Sequence, residues 1–600
     1  MKRVCILLLG AFLFSLCEAK EIPLLSNIYG RSYISLNGKW NYIVDPLENG
    51  YYGYRLTPKK NGFFLNEKVK TSSSNLIEYN FDTAQSMDIP SDWNSKDESL
   101  FFYEGTVWFK RDFDTRKKAG MKYVLYFGAV NYDAKVYVNG RKVGEHEGGY
   151  TPFNFDVTKY LIDRHNFVVV KVDNKRHPEG VPTVNMDWWN YGGITRDVLL
   201  AEVPEIYIED YQIHLAKDMS GYISGWVKLD TTLSLQNIEF EIPELQLKEF
   251  LRTDSSGKAT FHLQAQPELW TPEKPKLYDV VIRYNKEVLK DEIGFRTITT
   301  KGRKIYLNGN PIFLRGVSIH EEAPFRQGRA WSKEDAVTLL SWAKEMGCNY
   351  VRLAHYPHNE HMIRVAEKMG LMVWSEIPVY WTIQWKNKKT YGNAKRQLHD
   401  MIYRDKNRCC VIIWSIANET PHGKDRDYFL SSLSKYAREL DNSRLISMAM
   451  EVTKAVDNVN ELKDNMHKYV DILSFNQYIG WYRGTNESCR DMKWKIPFEK
   501  PVIVSEFGGG ALQGKYGDKT ERWTEDYQEE LYIQNLKMLD RIEGLSGLSP
   551  WILVDFRSPR RQLPGIQDFF NRKGLISSWG IKKKAYFVMQ RYYKNKAGLY

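Results

Sequence analysis

The pattern of apolar and polar residues changes about half-way along the chain. In the first half, short segments alternate apolar and polar side chains between turn residues, as at 136–140, 221–229 and 278–284. A period of two indicates strands that bury one face and expose the other. The spacing of these segments predicts a jelly-roll β-sandwich over residues 20–203 and an immunoglobulin-like β-sandwich over residues 204–297.

In the second half, continuous apolar runs alternate with amphipathic segments such as residues 334–346. Runs without alternation are typical of strands buried on both faces, and their alternation with helices indicates a parallel sheet. The predicted strands are residues 313–319, 350–355, 372–376, 411–416, 445–450, 472–476, 502–506 and 551–555. These eight strands predict a (β/α)8 TIM barrel over residues 298–600, so the fold class is multidomain β plus α/β.

Two glutamates end apolar runs of the predicted barrel. Glu419 follows the run that begins at Val411, and Glu506 ends the run that begins at Val502. Barrel enzymes keep their chemistry at the carboxyl ends of the strands, so both side chains are expected in the barrel mouth. Two carboxylates that flank one sugar are the machinery of a glycosidase, and their separation decides between retention and inversion. The alternative is that each glutamate follows a core strand and faces water.

The composition narrows the class of protein. A chain of 600 residues is too long for one core and is expected to form about three or four domains. Aromatic residues make up 14% of the chain, and such rings suit sugar faces as well as cores. The formal net charge of +11 arises from Lys and Arg residues interleaved with acids, which predicts a solvated surface and no nucleic-acid partner. An acidic substrate stays open.

Residues 1–19 have the pattern of a secretory signal peptide. Two basic residues precede an apolar stretch over residues 4–16, and the small Ala19 precedes the expected cleavage point. The mature chain is therefore predicted to be secreted across the inner membrane and to be periplasmic. Lipidation of Cys17 is the alternative, and the bulky Leu16 before it disfavours that processing. No later apolar run approaches the ~20 residues of a transmembrane helix.

Neither the cysteines nor the histidines predict a metal site. The cysteines that remain after cleavage lack zinc-site spacing and are expected to be free thiols: Cys348, Cys409, Cys410 and Cys489. His355, His358 and His361 are spaced three apart, but Pro357 argues against the continuous helix that a metal-binding face needs. His355 and His320 are instead expected to contact substrate or to orient a carboxylate.

Four segments together resemble glycoside hydrolase family 2, at residues 308–321, 351–357, 414–419 and 505–508. The resemblance extends over nearly the whole chain. It implies a jelly roll, an immunoglobulin-like domain and a barrel in this order, and hydrolysis with retention and without a metal or organic cofactor. It also implies Glu506 as the nucleophile and Glu419 as the acid/base, and a dimer or tetramer as the assembly expected for the family.

Residues 570–574 carry the expectation about substrate. Asn571 and Lys573 resemble the Asn-x-Lys motif with which β-glucuronidases, including those of gut Bacteroides, bind the C6 carboxylate of glucuronic acid. An ammonium and an amide both donate to an anion, and a neutral hexose would leave the lysine uncompensated. A bare tripeptide of this kind is otherwise typical of a charged surface loop.

One position departs from the glucuronidase pattern. Gln567 stands four residues before Asn571, where glucuronidases often have Arg, so carboxylate binding lacks one cation. Nearby arginines are candidates to replace it: Arg557, Arg560, Arg561 and Arg572. Because of this departure, a β-galacturonidase or a β-galactosidase of the same family stays open. A catalytically inactive carbohydrate-binding protein is the non-enzyme alternative, disfavoured by the presence of both glutamates.

Residues 187–194 and 476–482 also resemble sugar-contacting segments of β-glucuronidases. This resemblance implies that Asp187, in the jelly roll, reaches the barrel mouth and accepts hydrogen bonds from sugar hydroxyls, and that Tyr482 lines the pocket. A turn acid flanked by core tryptophans is the alternative role of Asp187. Asn418 is expected to bind the 2-hydroxyl, with a helix cap as its alternative role. The remaining candidates are Asn476, Tyr478 and Trp551. The segment 381–398 leaves little room for a long covering loop, which predicts an open mouth suited to larger, polysaccharide-derived substrates. The predicted partner is a small-molecule or oligosaccharide β-glucuronide.

Overall fold

The computed structural model describes residues 22–59, 80–216, 221–452 and 456–598, so the predicted signal peptide lies outside it. The three largest hydrophobic clusters belong to two β-sandwiches and a parallel barrel. The predicted architecture is therefore confirmed, while the domain boundaries drawn at 203/204 and 297/298 remain predictions. Among the described residues, no helix is long and apolar enough to cross a membrane.

The first body packs a four-stranded antiparallel sheet against a six-stranded one. Its strands are Tyr33–Ser35 (β1), Gly38–Val44 (β2), Ser86–Ile89 (β3), Thr106–Phe113 (β4), Met121–Phe127 (β5), Val130–Asn131 (β6), Asp133–Val138 (β7), Arg141–Glu147 (β8), Phe153–Asp156 (β9), Asn166–Asp173 (β10), Gly193–Ile194 (β11) and Val198–Pro204 (β12). The sheets have the orders β1-β12-β5-β9 and β3-β2-β4-β10-β7-β8. Between β7 and β8, Asn139 and Gly140 have φ of 49° and 78°, the positive values that a type I′ hairpin turn requires.

The second body is a smaller sandwich of three strands against four, in the orders β13-β14-β17 and β16-β15-β18-β19. Its strands are Ile208–Leu215 (β13), Tyr222–Leu229 (β14), Asn237–Ile242 (β15), Leu247–Arg252 (β16), Lys258–Gln264 (β17), Tyr278–Tyr284 (β18) and Glu287–Ile293 (β19). Strand β14 alternates buried and half-buried side chains along its whole length, as its sequence pattern predicts. A three-stranded meander then leads into the barrel: Ile298–Lys301 (β20), Lys304–Leu307 (β21) and Asn310–Ile312 (β22).

The barrel is a closed ring of parallel strands, because the first strand is split and each piece pairs with a different neighbour. Its strands are Leu314–Arg315 (β23), Ser318–Ile319 (β24), Tyr350–Leu353 (β25), Met372–Glu376 (β26), Val411–Asn418 (β27), Leu445–Met450 (β28), Leu473–Asn476 (β30), Val502–Glu506 (β32) and Leu545–Leu548 (β33). Strand β23 pairs with β33 and β24 pairs with β25, which closes the ring. Short pairs outside the ring are Val459–Glu461 (β29) with Lys493–Lys495 (β31) and Phe556–Arg557 (β34) with Phe570–Asn571 (β35).

The helices of the barrel follow its strands in the order expected for a (β/α)8 fold. They are Lys333–Glu345, Glu360–Met369, Lys388–Asp405, Lys424–Leu440, Glu525–Leu539 and Lys584–Ala597, and a short helix, Trp93–Lys96, belongs to the jelly roll. Two crossovers carry short 3-10 turns instead, Asn465–Lys468 and Asn486–Arg490. The first barrel helix begins with a capping box in which Ser332 and Asp335 satisfy each other's backbone donors.

The eighth strand is not where the sequence predicts it. The predicted strand at 551–555 is wrong: the eighth strand is Leu545–Leu548, and Trp551 follows it. This strand has a glycine at position 547, where a Cβ would lie 2.8 Å from that of Leu314 on the paired strand β23. The backbone of the two strands comes close at this point, so the strand has a glycine where the sequence analysis expected an apolar side chain.

The jelly roll reaches the barrel mouth through an aromatic cluster. Trp188 lies with its ring centroid 5.7 Å from that of His355 and 5.0 Å from that of Tyr380. Its indole N–H donates to the hydroxyl of Tyr150, whose ring stacks on that of Tyr356. This cluster fixes the first domain against the carboxyl ends of the barrel strands, where the candidate site lies.

Candidate active site

The carboxyl ends of the barrel strands bring the two predicted glutamates into one mouth. Glu506 is the last residue of β32, and Glu419 directly follows β27. Asn476 ends β30, and Arg352 projects from β25. Apart from the half-buried Asn476 and Glu419, these side chains are buried. The arrangement is the one that the continuous apolar runs predict.

Both carboxylate oxygens of Glu506 accept hydrogen bonds. Nη1 of Arg352 donates to Oε1 at 2.7 Å, and the hydroxyl of Tyr478 donates to Oε2 at 2.6 Å. Nε2 of His355 lies 3.6 Å from Oε1. Burial and the charge of Glu506 raise the pKa of Tyr478 well above its usual value, so this phenol keeps its proton and acts as a donor. These donors hold the carboxylate of Glu506 through both of its oxygens.

A second buried carboxylate, Glu376 at the end of β26, holds Arg352 and His355 in place. Arg352 donates to Glu376 from Nε at 3.2 Å and Nη2 at 3.0 Å, and Nδ1 of His355 lies 2.8 Å from Oε1. Burial alone would raise the pKa of Glu376, but Arg352, His355 and the indole N–H of Trp374 together outweigh burial and the pKa falls to about 2. Glu376 is therefore a permanent anion that orients the two side chains facing Glu506.

Glu419 has the electrostatic environment of a general acid. Burial, and then the negative charge of Glu506, raise the pKa of Glu419 to about 7. The indole N–H of Trp381 donates to its Oε2 at 2.9 Å and opposes this rise. The backbone N–H of Glu419 donates to the carbonyl of Ala449 on β28, which fixes the residue at the strand end. The protonated and ionised forms of Glu419 are therefore both populated near neutral pH.

Asn418 and Asn476 form a pair of amides beside the two glutamates. Oδ1 of Asn418 accepts from Nη2 of Arg352 at 2.8 Å and from Nδ2 of Asn476 at 3.1 Å. Oδ1 of Asn476 accepts from the hydroxyl of Ser505 at 2.7 Å. Nδ2 of Asn418 is buried and has no hydrogen-bond partner among the described residues, so a donor remains for a ligand oxygen.

His320 and Trp551 line the aromatic side of the mouth. The ring of Trp551 stacks on that of His355 at 4.7 Å and meets that of His320 edge-on at 5.2 Å. Nδ1 of His320 lies 3.1 Å from the hydroxyl of Tyr356, whereas its Nε2 has no partner among the described residues. Burial lowers the pKa of His320 well below its usual value, so its ring is neutral.

The three histidines spaced along 355–361 do not converge on one point. Nε2 of His358 donates to the carbonyl of Ala354 at 3.1 Å, and Nε2 of His361 lies 3.1 Å from Asp197 in the jelly roll. Within the described ranges, no group of three or more His, Cys, Asp or Glu side chains is placed to hold a metal ion. The cysteines predicted as free thiols are buried and unpaired: Cys348, Cys409, Cys410 and Cys489.

Lys573 is a buried cation beside Tyr482. Its Nζ lies 2.7 Å from the Tyr482 hydroxyl, and Lys573 is only 4% exposed. No described carboxylate lies within 4.0 Å of this ammonium. The ring of Tyr478, which contacts Glu506, lies 5.5 Å from the same Nζ. Lys573 therefore stands one side chain away from the predicted nucleophile.

Asn571 and Asp187 meet next to this lysine. Nδ2 of Asn571 donates to Oδ2 of Asp187 at 3.2 Å, and Oδ1 of Asn571 accepts from the backbone N–H of Lys573. Asp187 also accepts from the hydroxyl of Ser558 at 2.5 Å and from Nε of Arg561 at 3.0 Å. Asp187 does reach the barrel from the jelly roll, but its oxygens are occupied by protein donors.

The candidate replacement arginines have different surroundings. Arg561 pairs with Asp187 and lies next to Tyr482, the residue that contacts Lys573. Arg557 donates to Gln327 and stacks over Phe101 and Phe570, and Arg560 lies 4.9 Å above the ring of Trp381. Arg572 lies 3.5 Å from Asp555.

Three residues that surround the glutamates were missed by sequence reasoning. Glu376 ends a predicted strand in the same way as Glu506, and this signal could have found it. Arg352 interrupts an apolar run, which is a weaker signal for a buried ion pair. Trp381 reaches Glu419 from the segment after β26, where it has a left-handed φ of 54°, and nothing in its sequence neighbourhood indicates that contact.

Comparison with protein families covers nearly the whole described chain. A model described as the TIM barrel domain of glycosyl hydrolases family 2 matches residues 298–595. The sugar binding domain of the same family matches residues 34–204, and a further model of glycosyl hydrolases family 2 matches residues 206–296. The three matches follow one another in the order of the three observed bodies.

Individual proteins show the same likeness. The β-glucuronidase of Canis lupus familiaris is 29% identical over 575 residues, which cover 85% of each chain. The structure of an uncultured Clostridium sp. β-glucuronidase has a TM-score of 0.80 at 25% identity and covers 96% of this chain and 100% of that chain. A β-galacturonidase from Eisenbergiella tayi bound to galacturonate has a TM-score of 0.77 at 23% identity, covering 94% and 97% of the two chains, a likeness of fold.

Proposed function

The chain belongs to glycoside hydrolase family 2 and is a glycoside hydrolase, and on this premise we propose that it is a retaining exo-β-glucuronidase. The proposed reaction removes a terminal β-D-glucuronic acid from a small conjugate or an oligosaccharide. The relatives named β-glucuronidase in dog and in a Clostridium support this choice within the family.

The observation that carries the substrate assignment is the buried Lys573 ammonium. A buried cation without a counter-ion is costly unless a ligand supplies the anion. The amide of Asn571 and the guanidinium of Arg561 stand beside it, so the C6 carboxylate of a uronic acid would meet several donors at once. A galactoside has a neutral hydroxymethyl group at this position and would leave the ammonium uncompensated.

In the first step, the ionised Glu506 attacks the anomeric carbon while Glu419 gives its proton to the leaving oxygen. The C1–O bond to the leaving group breaks, and a glycosyl ester of Glu506 forms with inverted configuration. Tyr478 and Arg352 hold the attacking carboxylate through its two oxygens. The pKa of Glu419, about 7, keeps the acid largely protonated below neutral pH.

In the second step, Glu419 removes a proton from water, which attacks C1 and releases Glu506. The second inversion restores the β configuration. Once Glu506 is an ester, its negative charge no longer raises the pKa of Glu419. Glu419 then becomes the stronger acid, loses its proton more readily and is available as the base. One charge thus switches the role of one carboxyl between the two steps.

Around this pair, the structure supplies donors and surfaces for the sugar. The free Nδ2 of Asn418 is proposed to donate to the 2-hydroxyl, and Trp551 to pack against the ring. All steps are carried by side chains of the chain, so we propose no metal or organic cofactor. The periplasmic location and a dimeric or tetrameric assembly remain predictions from the sequence.

Two measurements test this function. The first is kcat/KM on the p-nitrophenyl β-glucuronide, β-galacturonide and β-galactoside; the glucuronide should lead, and a galactoside or galacturonide preference would reject the substrate assignment. The second is proton NMR of the first-formed sugar during hydrolysis. Retention predicts β-glucuronic acid before mutarotation, and initial α product would reject the double displacement.

A further inference from the structure

A cavity of about 160 Å³ has Lys573 in its lining. The lining also includes Trp481, Tyr482, Arg522, Arg561 and Arg572. Four of these side chains are cations, and among the described lining residues none is an acid. The cavity is therefore far more cationic than a single uronate carboxylate requires.

Two of the four cations have protein counter-ions. Arg561 pairs with Asp187, and Arg572 lies 3.5 Å from Asp555. Asp555 is also paired with Lys583 at 2.8 Å, so its one charge serves two cations. The pairing around Arg572 is thus incomplete, and the surplus on this side of the cavity remains positive.

The other two cations have no carboxylate within 4.0 Å among the described residues. Lys573 is buried at the inner end, and the exposed Arg522 lies with its guanidinium carbon 4.1 Å from the ring centre of Trp481. Tyr482, at 58% exposure, also faces the opening. One carboxylate that binds at Lys573 neutralises one charge and leaves Arg522 and Arg572 available to a second anion.

The location of the cavity identifies what can enter it. Among the described residues, the side-chain hydrogen bonds of Glu419 involve Trp381 and Asn476, neither of which lines the cavity, and Tyr478 contacts both Lys573 and Glu506. Because the leaving group departs beside the acid Glu419, we expect the terminal sugar, and not the leaving group, to place a substituent in the cavity. A second anion there must be a substituent of the terminal uronic acid itself.

We propose that this cavity is a second anion subsite, which accepts a sulfate ester on a hydroxyl of the terminal uronic acid through Arg522 and Arg572. The inference rests on the proposed function, since the uronate carboxylate must occupy Lys573. It extends the substrate class from plain β-glucuronides to sulfated ones. A sulfate ester is a permanent anion whose terminal oxygens can accept hydrogen bonds from both guanidinium groups.

The test compares p-nitrophenyl β-glucuronides that carry a sulfate or a methyl ether at the same position, O3 or O4. We expect kcat/KM of one sulfated compound to exceed that of its methyl ether at least tenfold. If both sulfates are cleaved no faster than the methyl ethers while the plain glucuronide is cleaved, the subsite is overturned and the proposed function stands. If neither plain nor sulfated glucuronides are cleaved, both proposals are overturned.

Variants separate the subsite from general electrostatic attraction. Arg522→Gln should reduce the sulfate-to-methyl ratio of kcat/KM at least fivefold, and Arg572→Gln should do the same. Arg591→Gln, at an exposed arginine of the last helix outside the cavity, is the matched control and should keep the ratio. An equal fall of the ratio in all three variants would attribute the preference to the overall charge of the protein. An unchanged ratio in all three would mean that neither Arg522 nor Arg572 binds the sulfate. Either result would overturn the subsite.

Discussion

Nη1 of Arg352 lies 2.7 Å from Oε1 of Glu506, and the same guanidinium holds Glu376 through Nε and Nη2. One buried cation thus serves two carboxylates, so the cluster retains a net negative charge in the barrel mouth. The guanidinium therefore fixes the position of Glu506 relative to Glu376.

Glu506→Gln is expected to abolish hydrolysis of p-nitrophenyl β-glucuronide, with kcat reduced by at least about a thousandfold. The amide is nearly isosteric and still accepts from Arg352 or Tyr478, so the fold should persist. The checks are kcat and the melting temperature. Glu543→Gln, at a surface carboxylate with an 83% exposed side chain, is the control and should leave kcat unchanged. Substantial residual activity of Glu506→Gln would contradict its role.

The pH profile depends on Glu419. Its raised pKa of about 7 means that the acid form prevails below neutral pH, so kcat/KM should fall as the pH rises through about 7. Trp381→Phe removes an N–H donor that favours the carboxylate form. The pKa of Glu419 should therefore rise further, and the alkaline limb of the profile should move to higher pH.

Trp385→Phe is the control for this shift, because Trp385 lies on the same segment but packs against Phe429. Its alkaline limb should match that of the wild type. An alkaline limb that stays in place or moves to lower pH in Trp381→Phe would show that Glu419 is not the acid group or that the indole does not tune it.

Lys573→Met separates a binding cation from a structural one. We expect kcat/KM for the glucuronide to fall at least tenfold, about 1.4 kcal/mol of transition-state binding, with no fall for the galactoside. Because the ammonium has no described counter-ion within 4.0 Å, its removal should not lower the melting temperature.

The matched control for that variant is Lys583→Met, at a buried lysine that pairs with Asp555 at 2.8 Å. Breaking this pair leaves Asp555 partly uncompensated and should cost about 3–5 kcal/mol in the free energy of unfolding. Thermal denaturation of both variants provides the comparison. Equal destabilisation by the two substitutions would mean that Lys573 is a structural residue.

The sequence predicts the parts of this protein that local pattern encodes. Continuous apolar runs located seven of the eight barrel strands, and the residues that end them located Glu419 and Glu506. The sequence did not predict the eighth strand correctly, because Gly547 packs closely against Leu314 and provides no apolar side chain that would mark the strand. Such a strand can be recognised only when the position of the neighbouring strand is known.

The surroundings of the glutamates follow from contacts between distant segments. Trp381 meets Glu419, and Arg561 meets Asp187, across 38 and 374 positions of sequence. Such pairs have no periodicity, so composition and spacing cannot reveal them. The role of Asp187 in sugar binding stays a prediction, and its hydrogen bonds with Ser558, Arg561 and Asn571 could be found only from the structure.

Asp187 is expected to act through Arg561 and Asn571, which it holds from the other domain. Asp187→Asn should weaken this anchor, displace the guanidinium and lower kcat/KM for the glucuronide. Arg561→Gln should lower it too. Because the two changes break one interaction, the double variant should lose less transition-state binding energy than the sum of the two single variants, with a coupling of at least about 1 kcal/mol.

Arg560→Gln is the control, since Arg560 lies over Trp381 and donates to Asn185. Its effect should add to that of Asp187→Asn, and coupling of similar size in both cycles would show that Asp187 does not act specifically through Arg561.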